Sequence, residues 1–307
     1  MKLSEAVDLT AALSLAALTS NLELVRDVQA RLMQFGLLDP PVDGKFGSVT
    51  HWALQEFCKS SNIAFDGEFT REIARALMDS DEEELFPLRP GDNLAGKVAS
   101  ALMRRGYWIA RHRSCYNIVY VEGMDVDGTI NDNKPNKFND VRILLQLSAT
   151  GVPKITKSWE ATTEPGKYWT DNPMNPAGAA RIAFGQYKSW AVGTHHAATP
   201  GAHEALIQVE NISIYRDLNK DYKRDGDTRY TGMFAVNQHW GYDMPRDDLR
   251  RSSAGCLVGR TKAGHREFMG LVKSDPRYVT NNGYRFMAAV MPAAALGETS
   301  FDPASPH

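Results

Sequence analysis

The sequence has few cysteines, no long apolar run and no excess of charge of either sign. Its 307 residues include three cysteines, Cys58, Cys115 and Cys256, which are too few and too far apart for a disulfide framework or a structural zinc site. No stretch approaches the roughly 20 apolar residues of a membrane-spanning helix. The 35 Lys and Arg are scattered among 37 Asp and Glu, so no nucleic-acid partner is expected.

The amino terminus lacks the pattern of a secretory signal. Residues 9–18 are rich in Ala and Leu, but Lys2 is followed by Glu5 and Asp8, whereas a signal places a basic region directly before a long apolar stretch. The run therefore predicts a short amphipathic helix. The protein is expected to be made in the cytoplasm, and to reach any site beyond it only after release by another system.

What remains is the composition of a globular protein, with 43% hydrophobic and 23% charged residues. The length suggests about two domains. Apolar residues at helical spacing, separated by Gly- and Pro-containing turns, predict three helices over 20–36, 50–59 and 70–78. A helical domain is accordingly predicted for 1–80, and the acidic, Pro-containing segment 81–91 is interpreted as a solvated linker.

The second predicted domain, 92–307, is mostly β with a few helices. Helices are predicted at 94–105 and 263–272. Period-two patterns between Gly/Asn/Asp/Pro-rich loops predict strands at 117–122, 141–147, 155–162, 205–209, 212–215, 233–237 and 284–291. The fold class is therefore α+β, a small three-helix bundle followed by a mostly β domain.

The first domain carries an ordered set of motifs: Val28-Gln29-x-x-Leu32, Gly36-Leu37-Leu38, Asp43-Gly44-x-Phe46-Gly47-x-x-Thr50 and Asp66-Gly67. Gly44 and Gly47 permit a tight turn between two helices, and Thr50 is expected to cap the second. Over residues 20–80 this pattern resembles the peptidoglycan-binding type 1 module. The resemblance implies bacterial peptidoglycan as the partner, with Asp43, Gly44 and Gly47 among the residues that bind it.

One segment of the second domain has the arrangement of a nucleophilic site. Cys256 follows Gly255 at the end of a polar loop and precedes a predicted helix, a common position for a reactive thiol. His239, upstream on a predicted strand, is the candidate to take its proton. The Gly255 and Cys256 amides are candidates for an oxyanion hole. The alternative for a lone cysteine is an inert, buried side chain.

Three short segments of this domain resemble motifs of L,D-transpeptidase catalytic domains: Thr162-Thr163-x-Pro165-Gly166, His239-x-Gly241 and Ser253-x-Gly255-Cys256. The resemblance implies a cysteine nucleophile acting on peptidoglycan stem peptides. Two positions depart from the family, because Ala254 replaces its usual His and Val258 its usual Arg. His239 is therefore the expected replacement base, with His196 or His195 as second choices. Substrate-binding roles are expected for Ser253, Trp240, His196 and Arg260.

Two metal-site hypotheses are weaker. The segment Asp217–Asp227 resembles a calcium loop but lacks the sixth-position Gly and closing Glu of an EF-hand, and basic residues interleave, so a polar turn is predicted. His195, His196, His203 and Glu204 do not have the zinc-peptidase spacing, since Ile207 occupies the second His position. No metal and no cofactor are predicted.

The expected function is that of a peptidoglycan-degrading enzyme similar to phage endolysins, cutting a stem-peptide amide with Cys256. Hydrolysis is favoured over transpeptidation because a wall-building enzyme normally carries an export signal. One alternative is a muramidase, which needs two carboxylates, with Glu122 as the best candidate acid. The other is a non-catalytic wall-binding protein, favoured by the missing family histidine. A monomer is expected.

Overall fold

The structure, a computed structural model, describes residues 1–298. The first part is helical: α1 (Leu3–Ala6), α2 (Leu15–Ser20), α3 (Leu22–Gln34), α4 (Ser48–Ser60), α5 (Arg71–Asp79) and α6 (Glu82–Leu85), with a ribbon of β1 (Leu13–Ser14) and β2 (Glu68–Phe69). Helices α3, α4 and α5 are the three that the sequence predicts. Their apolar faces share one core that includes Val28, Leu32, Leu54, Phe57 and Ile73. The predicted three-helix bundle is confirmed.

The ends of α3 show how the sequence specifies this unit. Asn21 caps the helix, its Oδ1 accepting from the Leu24 N–H at 3.2 Å. Ser20, the first residue of the predicted span 20–36, instead ends α2, and its hydroxyl donates to the Ala17 carbonyl. Gly36 terminates α3 as predicted, because its φ of +69° is accessible to Gly at little cost.

The second part is mostly β. Its elements are α7 (Leu94–Arg104), β3 (Asn117–Glu122), β4 (Asp140–Leu147), β5 (Pro153–Thr162), α8 (Lys167–Asp171), β6 (Ala179–Ile182), β7 (Gly185–His195), β8 (His203–Gln208), β9 (Ile212–Asp217), β10 (Thr228–Gly232), β11 (Gln238–Trp240), β12 (Leu257–Gly259), α9 (Lys262–Lys273), α10 (Pro276–Thr280), β13 (Phe286–Pro292) and a 3₁₀ turn, Ala293–Leu296. The α+β class is confirmed.

Eight strands form one closed sheet in the order β11-β12-β5-β4-β3-β13-β7-β8. The pairs β11/β12 and β13/β3 are parallel. A second sheet has the order β10-β9-β6. Strand β3 is buried on both faces, since Ile118 and Tyr120 join one apolar cluster while Val119 and Val121 join another with α7 residues. The closed sheet therefore has a core on each side of its central strands.

One predicted strand is wrong. Residues 233–237 form no strand, although the first four are consecutive apolar residues. Side chains rather than a neighbouring strand satisfy this backbone: Gln208 Oε1 accepts from the Phe234 and Val236 N–H groups, at 3.0 and 2.9 Å. Ala235 also has a φ of +56°, which breaks an extended conformation. The strand begins afterwards, at Gln238, and places His239 at its centre.

The two parts of the chain pack directly against each other. Phe86, within the predicted linker, lies in the helical core, and Leu88 lies in the β-domain core. The Trp108 indole donates to the Met33 carbonyl at 2.9 Å, and Tyr284 Oη donates to Asp39 Oδ1 at 3.0 Å. The helical domain is thus held against the β domain. No helix within residues 1–298 is long and apolar enough to cross a membrane.

Candidate active site around Cys256

Parallel pairing of β11 and β12 places Cys256 on the same face of the sheet as His239, two residues along the neighbouring strand. Gln238 is opposite Leu257 and His239 is opposite Val258, and the Leu257 N–H donates to the Asn237 carbonyl at 3.0 Å. Cys256 immediately precedes β12 and continues this register opposite Asn237. Residues two apart on a strand share a face, so the side chains of Asn237, Cys256 and His239 share one face of the sheet.

Cys256 is the partly exposed cysteine of the three, because Cys58 and Cys115 are buried. Its Sγ–H donates to the Ala235 carbonyl at 3.5 Å. Burial raises the pKa of the Cys256 thiol to about 11, partly offset by the nearby Asn237 backbone N–H. The thiol is therefore protonated at neutral pH, and its reaction as a nucleophile needs a base.

His239 has the tautomer that such a base requires. Its Nδ1 lies 2.8 Å from the Trp240 carbonyl oxygen, and a carbonyl only accepts, so Nδ1 carries the proton and Nε2 a lone pair. The imidazole is buried and stacks on His195, with ring centroids 3.9 Å apart. Burial, and then the neighbouring His195, hold the pKa of His239 well below 6.5. His239 is consequently neutral at pH 7.

The two second-choice bases are less well arranged. His195 Nδ1 accepts from the Asn237 side-chain amide at 3.0 Å, so its proton is on Nε2. Burial and the neighbouring His196 lower the pKa of His195 to about 4. His196 is exposed, with a φ of +54°. Among the three histidines, His239 alone is both buried and fixed in a tautomer with an open Nε2.

Only one of the two backbone N–H groups expected to form an oxyanion hole is free to do so. The Gly255 N–H donates to Ser253 Oγ at 3.2 Å, so it is not directed at a substrate. The Cys256 N–H donates to no group of the described chain and is the donor available at the nucleophile. Ser253 is buried, and its hydroxyl donates to the Cys256 carbonyl at 3.0 Å. The Ser253 side chain thus stabilises the turn, and its expected substrate-binding role stays a prediction.

Gly255 is required by the backbone of this turn. Its φ is +126°, and a Cβ there would lie 2.4 Å from the Ala180 carbonyl oxygen. Gly255→Ala is therefore expected to lower the free energy of unfolding by about 2–4 kcal/mol, from backbone strain together with the clash. Urea denaturation measures the loss. Gly270→Ala is the matched control, because Gly270 is exposed in α9 with open space around it, and it is expected to stabilise by up to about 1 kcal/mol.

Two predicted substrate-binding residues lie near this site with other partners. Trp240 is half-buried and stacks on His203, with ring centroids 3.8 Å apart. The Arg266 guanidinium also lies over this indole, 5.1 Å from its ring centroid. Arg260 pairs through Nε with Glu160 and donates to the Met244 carbonyl at 3.3 Å. Arg260 is therefore engaged in an ion pair rather than held free for a substrate carboxylate.

Sequence reasoning gave no role to Tyr242, which the fold brings to Cys256. Burial raises the pKa of Tyr242, and the charge of the Cys256 thiolate raises it further, which places the phenol within electrostatic reach of Sγ. Tyr242 has a φ of +59°, a strained value of the kind that concentrates at functional sites. Its proximity follows from the loop after β11, and no sequence spacing indicates it.

Glu122 lies in a different environment from that of a general acid. It is buried, and Arg224 donates to both of its oxygens, at 2.7 and 2.6 Å. Burial alone would raise the pKa of Glu122, but Arg224 and the Thr163 hydroxyl lower it to about 2. A general acid must hold a proton near neutral pH. The muramidase role suggested for Glu122 is therefore not supported by its surroundings.

The structure contains no group of three or more His, Cys, Asp or Glu side chains within residues 1–298 that could hold a metal ion. The calcium-like segment forms a polar turn: Asp217 Oδ1 accepts from the Asp221 N–H and Oδ2 from the Tyr222 N–H, each at 3.1 Å. These bonds use the side chain that would begin a calcium loop.

The motif from Asp43 to Thr50, noted above for its family resemblance, forms the turn before α4. Gln29, buried in α3, donates to Asp43 Oδ1 at 2.9 Å and accepts from the Gly44 N–H at 2.7 Å. Gly47 is the residue before α4, so the predicted cap at Thr50 is wrong; Thr50 Oγ1 instead lies 3.2 Å from Gln29 Nε2. Asp43 and Gly47 are exposed, and Gly44 is buried.

Residues 21–77 match the family model described as "Putative peptidoglycan binding domain". This segment is therefore similar to a peptidoglycan-binding module. No curated protein matches the chain. Two solved structures are similar to it. One is a fused Zn-dependent amidase/peptidase/peptidoglycan-binding domain-containing protein from Clostridium acetobutylicum (14% identity, 87% of this chain, 94% of that chain, TM-score 0.29). The other is the L,D-transpeptidase (residues 123–326) from Xylanimonas cellulosilytica (15%, 87%, 92%, TM-score 0.20).

The raised pKa of Cys256 predicts slow alkylation at neutral pH. Because the thiolate is the reactive form, the rate of iodoacetamide labelling of the native protein is expected to rise about tenfold for each pH unit from 7 to 10. Peptide mass spectrometry assigns the label, and Cys58 and Cys115 should stay unmodified because they are buried. A labelling rate of Cys256 that stops rising above pH 8 would mean that the thiol is far more acidic than its surroundings indicate.

Proposed function

We propose that the protein is a peptidoglycan hydrolase whose module holds the wall while Cys256 cleaves a stem-peptide amide. The observation that supports this most directly is the shared face of β11 and β12, which carries both the half-buried thiol of Cys256 and a histidine with an open Nε2. The peptidoglycan-binding module at residues 21–77 supports the polymer as substrate. The predicted route to the wall, release after synthesis in the cytoplasm, stays a prediction.

The proposed reaction proceeds by acyl transfer. His239 Nε2 takes the thiol proton as Sγ attacks the amide carbon, and the Cys256 N–H donates to the developing oxyanion. The protonated imidazole then gives its proton to the departing amine, leaving a thioester on Cys256. Water, deprotonated by His239, attacks the thioester and releases the carboxylate and the thiol. Each proton that His239 accepts is returned within the same half-reaction.

Substrate binding must assist the first proton transfer. In the free protein the thiol pKa is about 11 and that of His239 lies well below 6.5, so the resting pair is a neutral thiol and a neutral imidazole. Concerted attack avoids a free imidazolium–thiolate pair, because negative charge passes to the oxyanion as the proton leaves.

The test is digestion of purified peptidoglycan with product analysis. Amide hydrolysis is expected to release new free amines while the glycan strands stay intact. New reducing ends would instead support the muramidase alternative, and new cross-links would support transpeptidation.

A non-catalytic wall-binding role is the second candidate. The resting protonation state favours it, since burial makes the Cys256 thiol weakly acidic and His239 weakly basic, and Ala254 replaces the family histidine. Sedimentation with peptidoglycan without any new amine or reducing end would support this role.

A further inference from the structure

A groove of about 840 Å³ lies between the module and the β domain, away from Cys256. One wall is the Asp43–Thr50 turn of the module. The other is formed by the start of β7, the residues just before β9 and the loop that precedes β13. Along β7, the strand rise of about 3.3 Å per residue separates Lys188 in the groove from His195 by roughly 23 Å. The groove is therefore distinct from the candidate active site.

The module wall is held from behind by a buried amide. The Gln29 side chain contacts Asp43, Gly44 and Thr50 and also donates to the Lys45 carbonyl at 3.1 Å. These four contacts fix the turn that carries the family motif, and they leave its outer face exposed. Three exposed residues of this turn line the groove: Asp43, Lys45 and Ser48.

The floor is built from both domains. Asp39 of the helical domain is buried, accepts from Tyr284 Oη and pairs with Lys188 Nζ at 2.7 Å. These bonds join β7 and the loop before β13 to the segment after α3. The groove is therefore formed before any ligand binds, which lowers the entropic cost of binding.

The β-domain wall of the groove carries an acidic, a basic and an amide side chain. Glu210 and Arg285 pair across it at 2.5 Å, both partly exposed. Asn211 is exposed, and its carbonyl accepts from Ser189 Oγ at 2.9 Å. Opposite lie Asp43 and Lys45 of the module. Cations and anions thus alternate around the groove between uncharged hydrogen-bonding groups.

We propose that this groove binds a glycopeptide segment of peptidoglycan between the two domains, so that the β domain forms half of the wall-binding site. Sugar hydroxyls suit the amide and hydroxyl groups, and the carboxylates and ammonium groups of a stem peptide suit the alternating cations and anions. The inference rests on the proposed function, since it concerns the same polymer. It adds that the module alone is an incomplete binder.

The test is sedimentation of the full chain with purified peptidoglycan, in a Cys256→Ala background so that binding is measured without cleavage. Asn211→Trp fills the groove from the β domain, and Gly47→Trp fills it from the module, where a Cβ meets nothing within 4 Å. Gly270→Trp, at an equally open and exposed position in α9, is the control. Each groove variant is expected to raise the apparent Kd about tenfold, with the control unchanged. Melting temperatures verify that all three variants fold.

The decisive variant is Asn211→Trp. If Gly47→Trp weakens binding and Asn211→Trp does not, the module binds alone and the composite groove is overturned. If neither variant weakens binding, the groove is not the binding site, whereas the proposed cleavage by Cys256 is untouched. If the parent Cys256→Ala chain itself does not sediment, both the groove and the wall-binding part of the proposed function are overturned.

Discussion

Cys256→Ala is expected to lower the release of free amines from purified peptidoglycan by at least about 10³-fold. The proposed reaction passes through a thioester on Sγ, and removal of a covalent nucleophile leaves only the contribution of binding and the oxyanion donor. The substitution removes one half-buried atom whose hydrogen bond, to the Ala235 carbonyl, is long at 3.5 Å. Little change in stability is expected, so the loss would reflect chemistry.

The matched control is Cys115→Ala. Cys115 is buried in the β domain, and burial raises the pKa of its thiol well above the usual value, so it has no proposed part in the reaction. Its variant is expected to retain amine release and Cys256→Ala to retain sedimentation with the wall. Amine release by Cys256→Ala within about tenfold of the wild-type rate would remove the nucleophile assignment.

His239→Gln is expected to lower kcat by about 10²–10⁴-fold, the usual contribution of a general base. Gln retains a side-chain amide that can donate to the Trp240 carbonyl, but it cannot take a proton from the thiol. His51→Gln is the control, because His51 lies in α4 of the helical domain, outside the group of histidines around His239. Rates on a soluble muropeptide measure the loss. Equal effects of the two substitutions would contradict the role of His239.

The pH profile separates a base from a structural residue. A base must be unprotonated, and the pKa of His239 in the folded protein lies well below 6.5. Wild-type kcat/KM is therefore not expected to fall between pH 7 and 6.5, but only at more acidic pH. The residual activity of His239→Gln should lack this acidic limb.

Much of the fold is predictable because local periodicity and burial agree. The predicted bounds of β3 match the observed Asn117–Glu122, and α9 differs by one residue at each end. Strand β7 is missed because it begins with partly buried polar residues, and β12 because it has three residues. Both segments are strands because they pair with neighbouring strands, and their local sequence does not reveal this pairing.

The candidate site is predictable only in part. Cys256 and His239 stand out because their neighbours form motifs along the chain. The pairing of Glu122 with Arg224 joins residues 102 positions apart, so nothing local distinguishes it from a solvated carboxylate. The occupied amide of Gly255 depends on one rotamer of Ser253. Such contacts arise from tertiary packing, which spacing alone does not encode.

The most direct measurement is the chemistry of the products from purified peptidoglycan treated with the full chain. Cleavage by Cys256 predicts one new free amine for each bond cut, no new reducing ends, and loss of both activity and alkylation in Cys256→Ala. New reducing ends that survive this substitution would contradict it.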